Sequence, residues 1–348
     1  MKPIAVDAFG GDHAPKEVVL GAFLAAKEFD LDIVLVGKKG EIEKNIETIS
    51  KDFSSNTVQK ITIEDAPNAI TMFDKPSVAT RKRNSSMHIG MELVKNKKAD
   101  AFISAGNSGA VMAIAMVVLG KLKGISRPAI GALLPTVNSS VLLLDAGANV
   151  NCKPIHLLEF SIMGSVYIKN MLGVQKPKVG LISNGSEPGK GNSLVLEAYD
   201  LIKSSTLNFC GNIEGNEIFS DKVDVAVCDG FVGNIILKTS ESVPNIIGEF
   251  LKAQISKSLI YKIGYLLSKP AFRMLKKKTD YAEFGGAPLL GVNGACIISH
   301  GRSKAYAIKN AILKAAKFAS LDVNLKIEEA IEKCSALKYI GKEVENAI

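Results

Sequence analysis

One repeated unit limits what this chain can fold into more than any other feature. A short, continuously apolar run is followed by a polar loop rich in Gly and Asn, then by apolar residues at helical spacing. Short apolar runs suit strands buried on both faces, the condition of a parallel sheet covered by helices. Pro3 to Val6, Asp32 to Val36, Lys60 to Ile63, Ala99 to Ser104, Lys178 to Ile182, Leu207 to Cys210, Val223 to Cys228 and Ala295 to Ile298 read as strands. Pro15 to Glu28, Glu41 to Ser50, Ser108 to Leu119, Pro154 to Asn170, Ser193 to Leu201 and Ser303 to Phe318 read as helices. Ala129 to Leu134 and Val141 to Leu144, separated by Asn138-Ser139-Ser140, predict a hairpin. Long helical stretches run from about Gly233 to Lys278, with Pro244 and Pro270 marking breaks. A short charged helix closes the chain. The expectation is a three-layer α/β fold on a mostly parallel sheet. Residues 1–320 form one domain with a helical insertion at about 235–280, and 321–348 form a C-terminal helical extension.

Ligands of such sheets bind beyond the carboxyl ends of the strands. The loops there are DAFGGDHAP (Asp7 to Pro15), SAGNSGA (Ser104 to Ala110), DAGANVNCKP (Asp145 to Pro154), NGSEPGKGN (Asn184 to Asn192), CDGFVGN (Cys228 to Asn234) and ISHGRS (Ile298 to Ser303). EFGGAPLLGVNGA (Glu283 to Ala295) is a further Gly-rich cluster, which precedes a strand. Glycine lets a backbone approach an oxyanion closely, and helix N-termini offer free N–H groups and the positive end of the dipole. Several such loops at one sheet edge could hold phosphate without a metal.

Other chemistries lack their motifs. The loop around Lys190 resembles a phosphate-binding P-loop, but has one residue too few between its glycines and no Ser or Thr after the lysine. No G-x-G-x-x-G follows the first strand, and neither H-E-x-x-H nor G-x-S-x-G occurs. The four histidines are far apart; His300, between glycine-rich segments after a strand, is the best catalytic candidate among them. Five cysteines without a C-x-x-C pair read as reduced thiols of a cytoplasmic protein. The first residues enter a strand with no signal-peptide h-region. The uncharged run from Ala101 to Gly120 is broken by Gly106-Asn107-Ser108-Gly109, so it reads as strand, turn and helix and not as a membrane span. The net charge of +8 favours an acidic partner or an anionic surface, while no basic stretch interleaved with aromatics points to nucleic acid.

The order of the motifs is more specific than any one of them. DAFGGDHAP, KPSVATRKRNSSM, SAGNSGA, RPAI, DAGAN, HLLEFSIMGSVY, GKGN, NFCGNIEGNEI, DVAVCDGFVGNIILKTSE, FGGAPLLGVNG and SHGRS succeed one another from Lys2 to about Phe318. In this order they resemble the bacterial acyl-carrier-protein:phosphate acyltransferases. Phe9, Ser108 and the Ser186-Glu187-Pro188 run depart from that pattern, where Met, Thr and acidic residues are usual. The resemblance implies a homodimer similar in fold to phosphotransacetylases and the isocitrate/isopropylmalate dehydrogenase group. It implies transfer of a long acyl chain from acyl carrier protein to inorganic phosphate, no cofactor and no metal. The product would pass to a membrane glycerol-phosphate acyltransferase. The neighbouring readings are a phosphotransacetylase that uses coenzyme A thioesters, and a membrane-surface scaffold without turnover.

Phosphate attacking a thioester needs no strong base, and a thiol of pKa about 8.5 leaves readily. What remains is positioning and stabilising an oxyanion. On that chemistry Lys190 is the expected cation. Asn107, Ser108 and Gly109 would donate from a helix N-terminus, Asn192 and Asn234 would be further donors, and Gly10, Gly11 and Asp12 would shape the floor. His300 could protonate the departing sulfur. Arg81, Lys82 and Arg83 would meet the acidic carrier protein or structural carboxylates, or form a solvated charge run. Leu251 to Asp280 carries eight basic residues and one acid, with Leu259, Ile260, Ile263, Leu266 and Leu267 at helical spacing. It reads either as a core helix with a basic face or as a membrane-surface helix pair, with Lys262 on head groups and Leu266 and Leu267 in the acyl boundary.

Overall fold

The computed structural model describes residues 2–334 and Leu337, and the part of the predicted extension beyond these lies outside the described residues. The strands are β1 (Ile4–Asp7), β2 (Ile33–Gly37), β3 (Ile61–Asp65), β4 (Ala101–Ser104), β5 (Ala129–Pro135), β6 (Ser140–Leu144), β7 (Lys178–Ile182), β8 (Asn208–Ile213), β9 (Val225–Val227), β10 (Ala287–Leu290) and β11 (Ala295–Ile298). The helices are α1 (Lys16–Phe29), α2 (Lys39–Ile49), α3 (Ser55–Gln59), α4 (Pro76–Ala79), α5 (Ser86–Lys95), α6 (Ser108–Val118), α7 (Pro154–Leu172), α8 (Ser193–Lys203), α9 (Gly230–Ile255), α10 (Leu259–Thr279), α11 (Ala305–Ser320) and α12 (Val323–Lys333).

All strands join one sheet in the order β3-β2-β1-β4-β11-β10-β5-β6-β9-β7-β8. Neighbours are parallel from β3 to β11 and again from β6 to β8, and antiparallel only around β10 and β5. Two parallel halves therefore run in opposite directions. Their carboxyl ends meet near one level: Ile298 of β11 lies opposite Ala287, Leu289 opposite Ile130, and the next residue, Gly131, opposite Leu144 of β6.

Three layers follow from the alternation of side chains along each strand. Ile4, Val6, Ile33, Leu35 and Ile103 point to one face, where α1 and α11 cover them, and α7 covers the second half. Ala5, Val34, Val36 and Phe102 point to the other, against Met87 and Met91 of α5 and Val111 and Ile114 of α6. A fully buried aliphatic side chain of this size contributes about 2 kcal/mol.

Two expectations are corrected. Pro244 and Pro270 lie inside α9 and α10, and the break falls at Ser256 to Ser258. Both helices are largely exposed, so water can take the carbonyl that each proline leaves without a donor. The core-helix reading of Leu251 to Asp280 also fails. In this chain α10 buries no residue, and Leu259, Ile260, Leu266 and Leu267 are 64–77% exposed.

Candidate active site

A cavity of ≈ 990 Å³ opens where the two half-sheets meet. Asp12, Gly106, Ser108 and His300 to Arg302 line it from the first half; Ala146, Gly147 and Asn234 line it from the second. The rest of the wall is largely apolar, with Leu133, Leu134, Phe219, Leu237, Val243 and Phe284.

The first half is drawn together at Gly10. A Cβ there would stand 2.7 Å from both Asp7 Oδ2 and Ser104 Oγ, and 2.8 Å from the Gly106 nitrogen. Only glycine lets the β1 and β4 loops approach this closely. Ser104 Oγ donates to Asp7 at 2.6 Å and accepts from the Gly106 N–H at 3.0 Å, which fixes the turn into α6. Burial pushes the Asp7 carboxyl up, against hydrogen bonds from Ser104 and from the Phe9 and Gly10 backbone. The Asp12 N–H donates to Gly301 O at 2.8 Å and ties the β1 loop to the β11 loop.

Asn107 is the N-cap of α6. Its Oδ1 accepts from Ala110 N, and its Nδ2 donates to the carbonyls of Met72 and Asp74. Both side-chain donors are thus committed to the protein, which leaves backbone N–H groups as the donors expected of this helix start. The first-turn N–H groups at Ser108 and Gly109 lack intrahelical acceptors by helix geometry, and Ser108 lines the cavity.

In the second half the buried Asp145 carboxylate organises the turn after β6. It accepts from the N–H groups of Ile130, Gly147, Ala148 and Asn149, and from the Asn149 side chain, at 2.6–3.2 Å. Helix α9 packs directly on this turn and is capped by Asp229, whose Oδ1 accepts from Phe231 and Val232 N–H. Asn234, one turn into the helix, packs over Gly147. One turn on, Lys238 reaches the same cavity and pairs with Glu241 at 2.9 Å. Lys238, Glu241 and Arg302 line the cavity and sit within the quoted motifs, but were not among the candidate residues. The i, i+4 spacing from Asn234 could have found Lys238.

His300 Nδ1 accepts from the Arg302 N–H at 3.1 Å, and Nε2 faces Glu241 Oε2 at 3.8 Å. Burial pulls its pKa down, with Glu241 acting against it. The imidazole is therefore neutral near pH 7, with its proton on Nε2.

Lys190 and Asn192 are not among the cavity's lining residues. Both are exposed. Asn192 caps α8 by accepting from Val195 N, and Asn212 holds the Lys190 carbonyl at 3.3 Å. The reason is strand order. β9 stands between β6 and β7, so the loop after β7 begins two strand spacings, about 10 Å, from the loop after β6. Of the basic triplet, Lys82 pairs with Asp74 at 2.8 Å, while Arg81 and Arg83 are exposed.

Cys228 and Cys296 are buried, and burial pushes the Cys296 and Cys152 thiols up to about 12. These thiols are poor nucleophiles. Among the described residues no group of three His, Cys, Asp or Glu is placed to hold a metal ion.

Residues 2–326 match the model of a family described as fatty acid synthesis protein. The chain is 48% identical over 332 residues to the phosphate acyltransferase of Geotalea daltonii, covering 95% of this chain and 94% of that one. It is 49% identical over 333 residues to the phosphate acyltransferase of Dictyoglomus turgidum, covering 95% and 98%. Among solved structures it is similar to a phosphotransacetylase from Streptococcus pyogenes, with a TM-score of 0.60 at 16% identity, covering 95% of each chain. A 4-hydroxythreonine-4-phosphate dehydrogenase from Klebsiella pneumoniae aligns with a TM-score of 0.55 at 12% identity, over 92% of this chain and all of that one. At those identities the likeness is one of fold.

Proposed function

The chain belongs to the phosphate acyltransferase family, and on that premise we propose that it moves a long-chain acyl group from acyl carrier protein to inorganic phosphate, giving acyl phosphate for phospholipid synthesis. One observation carries the reading: a single cavity joins a polar end, suited to an oxyanion, to an apolar wall suited to a hydrocarbon chain. Phosphate is its own nucleophile. Its oxygen attacks the thioester carbonyl, the thiolate leaves, and no acyl-enzyme forms. Ser108 and Gly109 N–H groups, the Asn234 amide and the Lys238 and Arg302 cations surround the place where phosphate and the tetrahedral oxyanion would lie. His300, neutral, donates a hydrogen bond from Nε2 and need not transfer its proton, because the thiol leaves as an anion.

The test uses purified protein, phosphate and palmitoyl-loaded acyl carrier protein, with trapping of acyl phosphate by hydroxylamine. Turnover with the carrier-protein donor and little with palmitoyl coenzyme A is expected. Equal rates would favour the phosphotransacetylase reading, and no turnover with either would favour a scaffold.

The loop carrying Lys190 follows β7 at the sheet edge where β6 and β9 also end, since Leu181 and Leu144 are both level with Val227. Closing inward, this loop would bring the lysine to the phosphate. Lys190→Ala should then lower kcat by about tenfold or more, a modest share of what a lost transition-state donor typically costs. Its melting temperature should be unchanged, because the side chain is exposed. Wild-type kinetics would make Lys190 an ordinary surface residue.

The remaining parts of the reading are a homodimer, acyl carrier protein as partner and peripheral contact with the membrane that holds the next acyltransferase. The eight basic residues of Leu251 to Asp280 and the exposed apolar side chains of α10 support that contact. No helix among the described residues is long and apolar enough to cross a membrane.

A further inference from the structure

A second cavity of ≈ 630 Å³ lies beyond the apolar end of the first. Ile168, Leu172, Val174 and Met274 line it, with the β5–β6 turn at Asn138 to Ser140 and, at its rim, the charged side chains of Asp224, Lys277, Lys278 and Glu283. Two residues line both cavities: Pro135 and Phe284.

The topology explains the junction. β10 pairs with β5 only at Ala129 and Ile130, so the edge of β5 toward Pro135 runs on without a partner strand. Phe284 precedes β10 and stands beside that open edge. The cavities also lie against opposite faces of the sheet. Ala132, Leu134 and Leu237, at the first, belong to the core that packs on α5 and α6. Ile168 and Val174, at the second, belong to the core around α1, α7 and α11. A chain passing from one to the other must turn round the free edge of β5, past Phe284.

Volume gives this a purpose. At about 30 Å³ per methylene, taken as the share of a liquid water, a palmitoyl chain needs roughly 500 Å³. A palmitoyl chain thus takes about half of the first cavity, and phosphate, the thioester and the end of the donor's thiol arm share the rest. The far cavity is roofed by the end of α10, where Lys278 Nζ donates to Val137 O.

We propose that Phe284 sets the acyl chain length this protein accepts, by closing the passage between the catalytic cavity and the second cavity. This rests on the acyl-transfer reading. The ring stops the methyl end of a chain that fills the first cavity, and a smaller side chain opens the second cavity to longer chains. Each methylene that leaves water for an apolar wall is worth roughly fourfold in affinity.

The experiment compares kcat/KM for myristoyl-, palmitoyl- and eicosanoyl-loaded acyl carrier protein. Phe284→Ala should raise the eicosanoyl-to-myristoyl ratio by about tenfold or more, which corresponds to two additional methylenes out of water. Phe284→Leu should shift it the same way by a smaller factor, and it serves if the alanine variant does not melt cooperatively. A ratio that stays at the wild-type value, or activity that falls equally for all lengths, would overturn the proposal. Because the chain contains no Trp, Phe284→Trp supplies a single tryptophan at the junction, selectively excited at long wavelength, that reports without turnover. Titration with stearate should shift its emission, while decanoate should not; an identical response to both also overturns the proposal. If the wild-type protein makes no acyl phosphate from any donor, the activity reading fails, and the fluorescence titration still decides whether chains reach Phe284.

Discussion

Gly233→Ala is expected to lower acyl phosphate formation by about a hundredfold, with a reduced melting temperature. A Cβ at this position would stand 1.8 Å from the carbonyl oxygen of Asp145 and 3.1 Å from Cys228 Sγ. The contact is with backbone, so no rotamer change relieves it. The Asp145 turn cannot retreat either, since its carboxylate is held by five N–H donors on the 130–149 segment. The start of α9 must move by roughly 1 Å, a displacement that can cost about a hundredfold when it misplaces groups at a reacting centre. Asn234 and Lys238 move with it. Overpacking of this kind also costs about 1–3 kcal/mol in stability. The measurements are kcat/KM and a thermal melt, and wild-type values for both would show that the junction is not tightly packed. A variant that keeps its melt but loses turnover would separate position from stability.

That junction illustrates what the chain's pattern does and does not disclose. The parallel strands were legible because each is a short apolar run ending at a glycine-rich loop, and the β5–β6 hairpin because Asn138-Ser139-Ser140 punctuates it. β10 was not legible. Its residues APLL sit between the Gly285-Gly286 pair and the single Gly291 in FGGAPLLGVNG, and Pro288 removes a ladder donor, so local chemistry reads as loop. Only the neighbours on either side make it a strand. α5 was missed for a related reason: SMHIGMELVK is short and contains Gly90, which lets the Phe102 ring pack against it.

The candidate site was legible as a set of loops and not as a constellation. Which loops share a cavity depends on strand order. The insertion of β9 between β6 and β7 separates the Lys190 loop from the Asp145 turn, although both follow strands of the same half. Lys238 lies within the quoted run DVAVCDGFVGNIILKTSE but was not singled out, because candidates were sought in the loop before the helix and not one turn into it. Pro244 and Pro270 misled because proline breaks a helix most reliably where the orphaned carbonyl is buried, and α9 and α10 are exposed.

Replacing Leu266 and Leu267 together by Glu should abolish binding to anionic vesicles while leaving acyl phosphate formation in solution intact. The two side chains are 64% and 77% exposed, and α10 buries no residue in this chain, so the change should not disturb the core. Lysines along the same segment would sit on anionic head groups at about 1 kcal/mol each, which makes the expected binding salt-sensitive. Losing two leucines from the acyl boundary removes about 4 kcal/mol, before any repulsion of the new carboxylates. That is roughly a thousandfold in partition, enough to take a reversible surface binder below detection in vesicle sedimentation. The cavity proposed to hold the reaction lies at the meeting of the half-sheets, and neither leucine lines it. Turnover with a water-soluble carrier-protein donor should therefore persist. Two results would count against a membrane role. One is unchanged sedimentation with vesicles. The other is a double variant that loses its cooperative melt or its assembly state, which would assign the apolar residues of α9 and α10 to contacts between copies of this chain.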